Sequence, residues 1–244
     1  MLLRDTLNHA LKLYPDKTAL IDGDKRYTYR QAEERVRRLA SGLLSLGLKP
    51  GDHIAILANN SHRYWETYFV ADIAGMPLAP LNIRLAAAEL EFILNDGEIK
   101  ALILGPEYIP IYEQFKAGVP GLKHVILTDG EHEGALNYDR LLEASEALAG
   151  SVREWSEDDM LNLCYTGGTT GLPKGVMLTH RALYLHGLSV ATLVGDARDH
   201  VDLHTIPLFH ANGWGRPQSC TLLGTRQVMV RRFEPTGVMR LIQE

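Results

Sequence analysis

Between residues 53 and 127 the chain alternates short apolar runs with stretches whose apolar residues recur at helical spacing, and this alternation limits the fold more than any other feature. Residues 53–58 read as a buried strand, 77–80 as a short extended piece, and 101–104 and 125–127 as further strands. Between them the pattern predicts three helices. The first is capped by Ser61, carries Tyr64, Trp65, Tyr68 and Phe69, and closes at Gly75. The others cover 86–94 and 109–115. The aromatics of the first helix are of the type that fills a core. Strands separated by helices pair in parallel and need helical cover. The expected class is therefore α/β, with largely parallel sheets flanked by helices.

The flanking segments extend this pattern. Residues 5–14 put Leu7, Ala10, Leu11 and Tyr14 on one helical face before Pro15. Residues 18–21 and 25–28 form a hairpin around Asp22-Gly23-Asp24. Thr28 and Gln31 read as a capping box opening a helix whose buried stripe is Ala32, Val36, Leu39, Leu43 and Leu46, with Gly47 ending it. Glu33, Glu34, Arg35, Arg37 and Arg38 read as its solvated face. Residues 128–134, acidic and containing His132, are expected as an exposed loop rather than a metal site. Helices are expected over 141–149, 181–193 and 235–243, a polar joint over 189–200, a strand over 202–206, and a helix end, Gly224 and a strand over 222–230.

Composition bounds the function. The 244 residues are 45% hydrophobic and 23% charged, ordinary for a globular protein with a sizeable core. A net charge of −5 suggests no general nucleic-acid surface. Cys164 and Cys220 have the spacing of neither a disulfide framework nor a metal site, and no metal ligands are read from the sequence. Reduced cysteines and the lack of a long apolar leader point to the cytoplasm. No apolar run approaches the ~18 residues of a membrane span, which leaves only peripheral membrane association open.

The chemistry concentrates at residues 161–180, L-N-L-C-Y-T-G-G-T-T-G-L-P-K-G-V-M-L-T-H. Leu161, Leu163 and Tyr165 alternate as in a strand, and 176–178 reads as another. Between them, glycines let backbone N–H groups approach an anion, Thr169 and Thr170 add hydroxyl donors, and Lys174 adds a mobile positive charge. This is not the common P-loop, which runs Gly-Lys-Ser/Thr directly into a helix. Here Pro173 precedes Lys174, Gly175 follows it, and helix resumes only after Thr179, a plausible cap. On spacing alone, a phosphate-holding loop and an ordinary Gly/Thr-rich hairpin turn both fit.

The string Tyr165-Thr166-Gly167-Gly168-Thr169-Thr170-Gly171-Leu172-Pro173-Lys174-Gly175-Val176 resembles the phosphate-loop signature of the adenylate-forming (AMP-binding) superfamily of acyl-CoA synthetases, luciferases and peptide-synthetase adenylation domains. The usual form has Ser where this chain has Gly167, so that hydroxyl contact does not carry over. The stretch from Ala74 through Arg84 to Leu85, and Pro207-Leu208-Phe209-His210 with Gly213, resemble two further segments of the same superfamily. Asn212-Gly213-Trp214 and the residues after Cys220 most resemble medium- and long-chain fatty-acid ligases.

The resemblance implies a two-step reaction in which a carboxylate attacks the α-phosphorus of ATP and CoA then displaces AMP. It implies that Thr166, Gly168, Thr169, Thr170, Gly171 and Lys174 contact the ATP phosphates, with Mg²⁺ arriving on the nucleotide. His210 would line the acyl-carboxylate end as the catalytic candidate, although a lone loop histidine is more often simply hydrogen-bonded. Gly213 and Trp214 would belong to the substrate region; Trp214 either lines an acyl tunnel or is a core indole beside Pro217. The implied partners are a fatty or related carboxylic acid, ATP and CoA, with no nucleic acid.

The same resemblance implies that residues 48–194 form one subdomain, and that 1–47 and 195–244 belong to a second, incomplete one. The family's adenine, ribose, hinge and C-terminal lysine elements lie beyond this stretch. The chain alone is therefore expected to be inactive and to associate with itself or with a missing partner. An aryl-acid or luciferase-like adenylating enzyme, a non-catalytic nucleotide-binding module, and a structural fragment needing a second chain are the competing expectations.

Overall fold

The computed structural model describes residues 1–167, 171–195, 197 and 199–243. Its N-terminal elements are α1 (Leu3–Leu13), the antiparallel pair β1 (Thr18–Asp22) and β2 (Lys25–Thr28), and α2 (Tyr29–Ser45). The capping box forms: Thr28 Oγ1 accepts from Gln31 N–H at 3.2 Å, and Gln31 Oε1 accepts from Thr28 N–H at 2.9 Å. Ala32, Val36, Leu39 and Leu43 are buried, whereas Leu46 is half-buried. Gly47 turns the chain at φ +84°, a conformation open to glycine.

The alternating region follows as β3 (His53–Leu57), α3 (His62–Ile73), β4 (Leu78–Pro80), α4 (Ala87–Asp96), β5 (Ile99–Leu104), α5 (Ile109–Phe115), β6 (His124–Leu127), β7 (Leu136–Asn137), α6 (Tyr138–Glu143), β8 (Met160–Thr166) and β9 (Lys174–Thr179). These strands form one sheet in the order β7-β6-β5-β3-β4-β8-β9, parallel throughout except for the antiparallel β8–β9 edge. Successive side chains of the central strands enter opposite cores. Ile54, Ile56, Ala101, Ile103 and Ile126 pack with Val36, Trp65 and Phe69 of α2 and α3. Ala55, Leu57, Leu102, Leu104 and Leu127 pack with Leu90, Ile93 and Phe115 of α4 and α5. Burial on both faces explains why the runs 54–57, 101–104 and 125–127 are apolar at successive positions rather than at every second one.

The chain then forms α7 (His180–Val194), β10 (Val201–His204), α8 (Ala211–Trp214), α9 (Arg216–Leu222), β11 (Arg226–Met229) and α10 (Pro235–Gln243). β11 returns to lie parallel with β1, giving a second sheet ordered β10-β11-β1-β2. Tyr29 of α2 donates its hydroxyl proton to Thr225 O at 2.7 Å, and Trp65 of α3 donates to Thr221 Oγ1 at 3.1 Å. These bonds tie the two sheets through the helices between them.

Three expectations need correction. The helix expected over 141–149 begins earlier and ends earlier, at Tyr138–Glu143, because Asn137 caps it by accepting from Arg140 N–H. The polar stretch from 189 is helical up to Val194, and Gly195 at φ +69° ends it. The charged face of α2 is not simply solvated. Arg35 reaches fully buried Glu66 at 2.5 Å and Asp139 at 3.2 Å, and Arg37 and Arg38 donate to the carbonyls of Leu148 and Ser145. This network joins α2, α3 and α6.

Among the described residues no helix is long and apolar enough to cross a membrane. Apolar side chains stay exposed on β9, α7 and α10, with Met177 70%, Leu193 84% and Ile242 61% accessible.

Candidate functional site

Strands β8 and β9 carry the glycine-rich stretch on the tip of a hairpin. Their register sets Thr166 opposite Lys174, Tyr165 opposite Gly175 and Cys164 opposite Val176. Thr166, Gly171 and Lys174 are all exposed, and among the described residues no acidic side chain pairs with Lys174. Gly168, Thr169 and Thr170 lie outside the described residues.

Gly175 has a packing reason to be glycine. A Cβ there would meet Leu163 Cδ1 at 2.9 Å and the Tyr165 ring at 3.3 Å. That close approach lets Tyr165 stand across the strand pair and donate to Asp96 Oδ2 at 2.6 Å, which fastens the turn end of the hairpin to the end of α4.

A cleft of about 250 Å³ opens beside the hairpin. Four separate stretches line it: Pro80 at the end of β4 with Leu81, Asn82 and Leu85 after it; Ile93 of α4; Cys164, Tyr165 and Gly167 at the end of β8; and Phe209, His210 and Ala211. β4 and β8 are parallel neighbours, so the first and third groups emerge together from the carboxyl ends of adjacent strands. That edge of an open parallel sheet is where ligands collect. Burial pushes the Cys164 thiol up to about 12, so it lines the cleft as a neutral group rather than a nucleophile.

His210 is exposed and caps α8, its Nδ1 accepting from Asn212 N–H at 3.2 Å. In the neutral ring that bond places the proton on Nε2. The loop bearing His210 is held from beneath. Asn60 Nδ2 donates to His204 O and Ile206 O, both at 2.9 Å, its Oδ1 accepts from Leu208 N–H at 2.8 Å, and Tyr68 donates its hydroxyl proton to Leu208 O at 2.7 Å.

The sequence reading missed Asn60 and counted Tyr68 only as core. A signal was available, since Asn59 and Asn60 directly follow a buried parallel strand, where polar residues are oriented for a purpose.

Gly213 and Trp214 do not line the cleft. Gly213 is buried behind the loop, where a Cβ would meet Pro207 O at 2.5 Å. Trp214 is half-buried, with its ring centroid 6.0 Å from that of His186. With the Asn162 amide oriented to satisfy its neighbours, its oxygen accepts from Trp214 Nε1 at 2.7 Å. Of the residues expected in the site, His210 lines the cleft beside Gly167. Thr166 and Lys174 face each other in the adjoining hairpin and, like Gly171, are not among the cleft's lining residues, while Gly213 and Trp214 make supporting contacts.

The comparisons bear on this arrangement. The sequence profile of the AMP-binding enzyme family matches residues 7–244. A long-chain-fatty-acid–CoA ligase of Thermus thermophilus is 38% identical over 220 residues, covering 88% of this chain and 40% of that protein. A 3-methylmercaptopropionyl-CoA ligase of Ruegeria lacuscaerulensis is 31% identical over 246 residues, covering 94% of this chain and 45% of that protein. The N-terminal domain of FACL13 from Mycobacterium tuberculosis, solved with an inhibitor bound, superposes with a TM-score of 0.90 at 29% identity, covering 99% of this chain and 60% of that one. The chain spans less than half the length of these two curated relatives.

Proposed function

The chain belongs to the AMP-binding enzyme family, and from that membership we propose that the whole protein activates a fatty or related carboxylic acid with ATP and passes the acyl group to CoA. One observation carries the reading: the end of β8 with Gly167, the stretch from Pro80 to Leu85 and the His210 loop, far apart in sequence, share one cleft at the carboxyl edge of a parallel sheet, with the glycine-rich hairpin beside it. Fatty acids are supported by the Thermus relative, a long-chain-fatty-acid–CoA ligase, and by the resemblance around Asn212-Gly213-Trp214, while the Ruegeria relative acts on a different acid.

In this proposal the tail of ATP lies at the hairpin tip. Thr166, Gly168, Thr169, Thr170 and Gly171 would supply donors, and Lys174 the positive charge. A substrate carboxylate oxygen attacks the α-phosphorus, the bond to the β-phosphate oxygen breaks and pyrophosphate leaves. The CoA sulfur then attacks the acyl carbon, the bond from that carbon to the phosphate oxygen breaks, AMP leaves and the thiol proton passes to solvent. His210, with its Nε2 proton directed away from its cap, would hold the substrate carboxylate. Gly213 and Trp214 would shape the acyl region from behind, through the loop. None of the described residues lining the cleft is a carboxylate, so Mg²⁺ would come on the nucleotide's phosphate oxygens.

The reading extends to organisation. Residues 48–194 form one subdomain, and 1–47 with 195–244 form part of a second that the remainder of the protein completes. The exposed apolar side chains of α7, β9 and α10 support association with that remainder or with a second copy. Two free cysteines fit a cytoplasmic location.

Hydroxylamine trapping with a panel of acids tests the proposal. The full-length protein should yield acyl-hydroxamate with fatty acids only when ATP is present, and the 244-residue chain should yield none. Hydroxamate from the short chain would refute its inactivity, and none from the full-length protein with any acid would refute the reaction.

A further inference from the structure

Away from the cleft, β10 and α9 bring together one oxygen, one nitrogen and one sulfur donor. A carboxylate oxygen of Asp202, a ring nitrogen of His204 and the sulfur of Cys220 all lie within 4.8 Å of one another. His204 and Cys220 are buried, at 4% and 1% exposure, and Asp202 is half-buried.

Outer partners fix which atoms face inward. Thr221 Oγ1 donates to Pro217 O at 2.7 Å, so it can only accept from Gln227 Nε2, which lies at 3.2 Å. That orientation directs Gln227 Oε1 at His204 Nε2, 3.0 Å away, so Nε2 carries the proton and donates it. The Nδ1 lone pair is thereby left 3.7 Å from Asp202 Oδ1. On the other side, Arg216 Nε and Nη2 both donate to Asp202 Oδ2, at 2.7 and 2.5 Å, so Arg216 does not engage Oδ1. Outer hydrogen bonds of this kind set ligand tautomer and orientation in metal sites.

We propose that Asp202 Oδ1, His204 Nδ1 and Cys220 Sγ form a Zn²⁺ site that clamps the two ends of the segment bearing His210. The mixed donor set selects a borderline-soft ion; Mg²⁺ and Ca²⁺ take oxygen ligands alone. Metal–ligand bonds of about 2.3 Å to sulfur and 2.0–2.1 Å to nitrogen and oxygen hold tetrahedral donors roughly 3.3–3.6 Å apart. The Asp202–His204 spacing is already close to this, and the Cys220 sulfur, within 4.8 Å of both donors, closes in on binding. On binding, the S–H bond breaks, the proton leaves to solvent, the zinc–sulfur bond forms, and water fills the fourth position. Asp202 and His204 precede Pro207, and Cys220 follows Trp214, so the ion would join both flanks of the loop.

Co²⁺ is the spectroscopic probe. Titrated into the 244-residue chain, it should bind one equivalent and give a near-ultraviolet thiolate charge-transfer band. Prior Zn²⁺ should block the band, Cys164→Ala should retain it, and Cys220→Ala should lose it. A band that survives Cys220→Ala, or no band in a chain that still melts cooperatively, overturns the site. Zn K-edge absorption on the unmodified chain needs no variant and must show one sulfur at about 2.3 Å. A shell of nitrogen and oxygen alone also overturns it.

Discussion

Leu208 donates its backbone N–H to Asn60 Oδ1 at 2.8 Å, a bond that spans 148 positions of sequence and suspends the His210 loop from the end of β3. Asn60 spends its amide nitrogen on two carbonyls of the same loop, so its three bonds serve one purpose. Asn60→Ala strands a buried N–H and two carbonyls, and unsatisfied buried groups cost about 1–3 kcal/mol each before the loop relaxes. The expected loss is about 2–3 kcal/mol in urea unfolding, with faster amide exchange over 206–212. Unchanged exchange there would show that the loop does not depend on this residue.

Gly213 is expected to tolerate no side chain. A Cβ 2.5 Å from Pro207 O has only backbone to push against. Overpacking of this kind costs about 1–3 kcal/mol. Gly213→Ala should lower the unfolding free energy by that amount, whereas Gly167→Ala, with open space around its Cβ, should leave it unchanged. Equal melting of the two variants would contradict the packing role.

The Arg35–Glu66 pair is worth most when half of it is removed. Glu66 is fully buried and also accepts from Tyr138 at 2.8 Å. Arg35→Met leaves that carboxylate without its cation, which costs about 3–5 kcal/mol for a buried pair. The double variant Arg35→Met with Glu66→Gln should recover part of the loss. A double-mutant cycle with no coupling would show the pair to be incidental.

Two buried groups with opposed proton preferences meet beneath α1. His180 Nδ1 accepts from Leu3 N–H, and burial lowers its imidazole to about 4 from the usual 6.5. The native state therefore binds fewer protons than the unfolded state between those values, and this contribution to stability is lost as pH falls from 6.5 to 4. Asp72, held by Arg4 at 2.9 Å, behaves oppositely: burial raises its carboxyl to about 6, so its contribution grows as pH falls from 6 toward 3.8. In the intact chain the two offset. His180→Gln should expose the Asp72 term, raising stability at pH 4.5 relative to pH 6.5 by on the order of 2 kcal/mol more than in the parent. Parallel profiles for the two proteins would refute the assignment.

The sheet was legible because its central strands carry unbroken apolar runs, 54–57, 101–104 and 125–127, and its helices carry explicit caps, as at Thr28 and Ser61. The end of α6 was not, because nothing at Ala144 signals a stop; the chain leaves the helix where Arg38 draws in Ser145 O. Arg35 looked solvated because one helix in isolation cannot show the buried carboxylate opposite it. The stretches lining the cleft were legible as motifs, and their convergence came from topology. The supporting roles of Asn60 and Gly213, and the meeting of Asp202, His204 and Cys220, depend on contacts that no local pattern encodes.

The central claim is that the hairpin tip cradles the tail of ATP, and the most direct measurement is residue-resolved amide perturbation of the 244-residue chain on titration with ATP, pyrophosphate or adenosine. ATP and pyrophosphate should shift the amides of 166–175, adenosine should not, and Lys174→Ala should weaken both effects at least tenfold without changing the melting temperature, since Lys174 is exposed. Shifts that fall elsewhere, or that persist undiminished in Lys174→Ala, would contradict the claim.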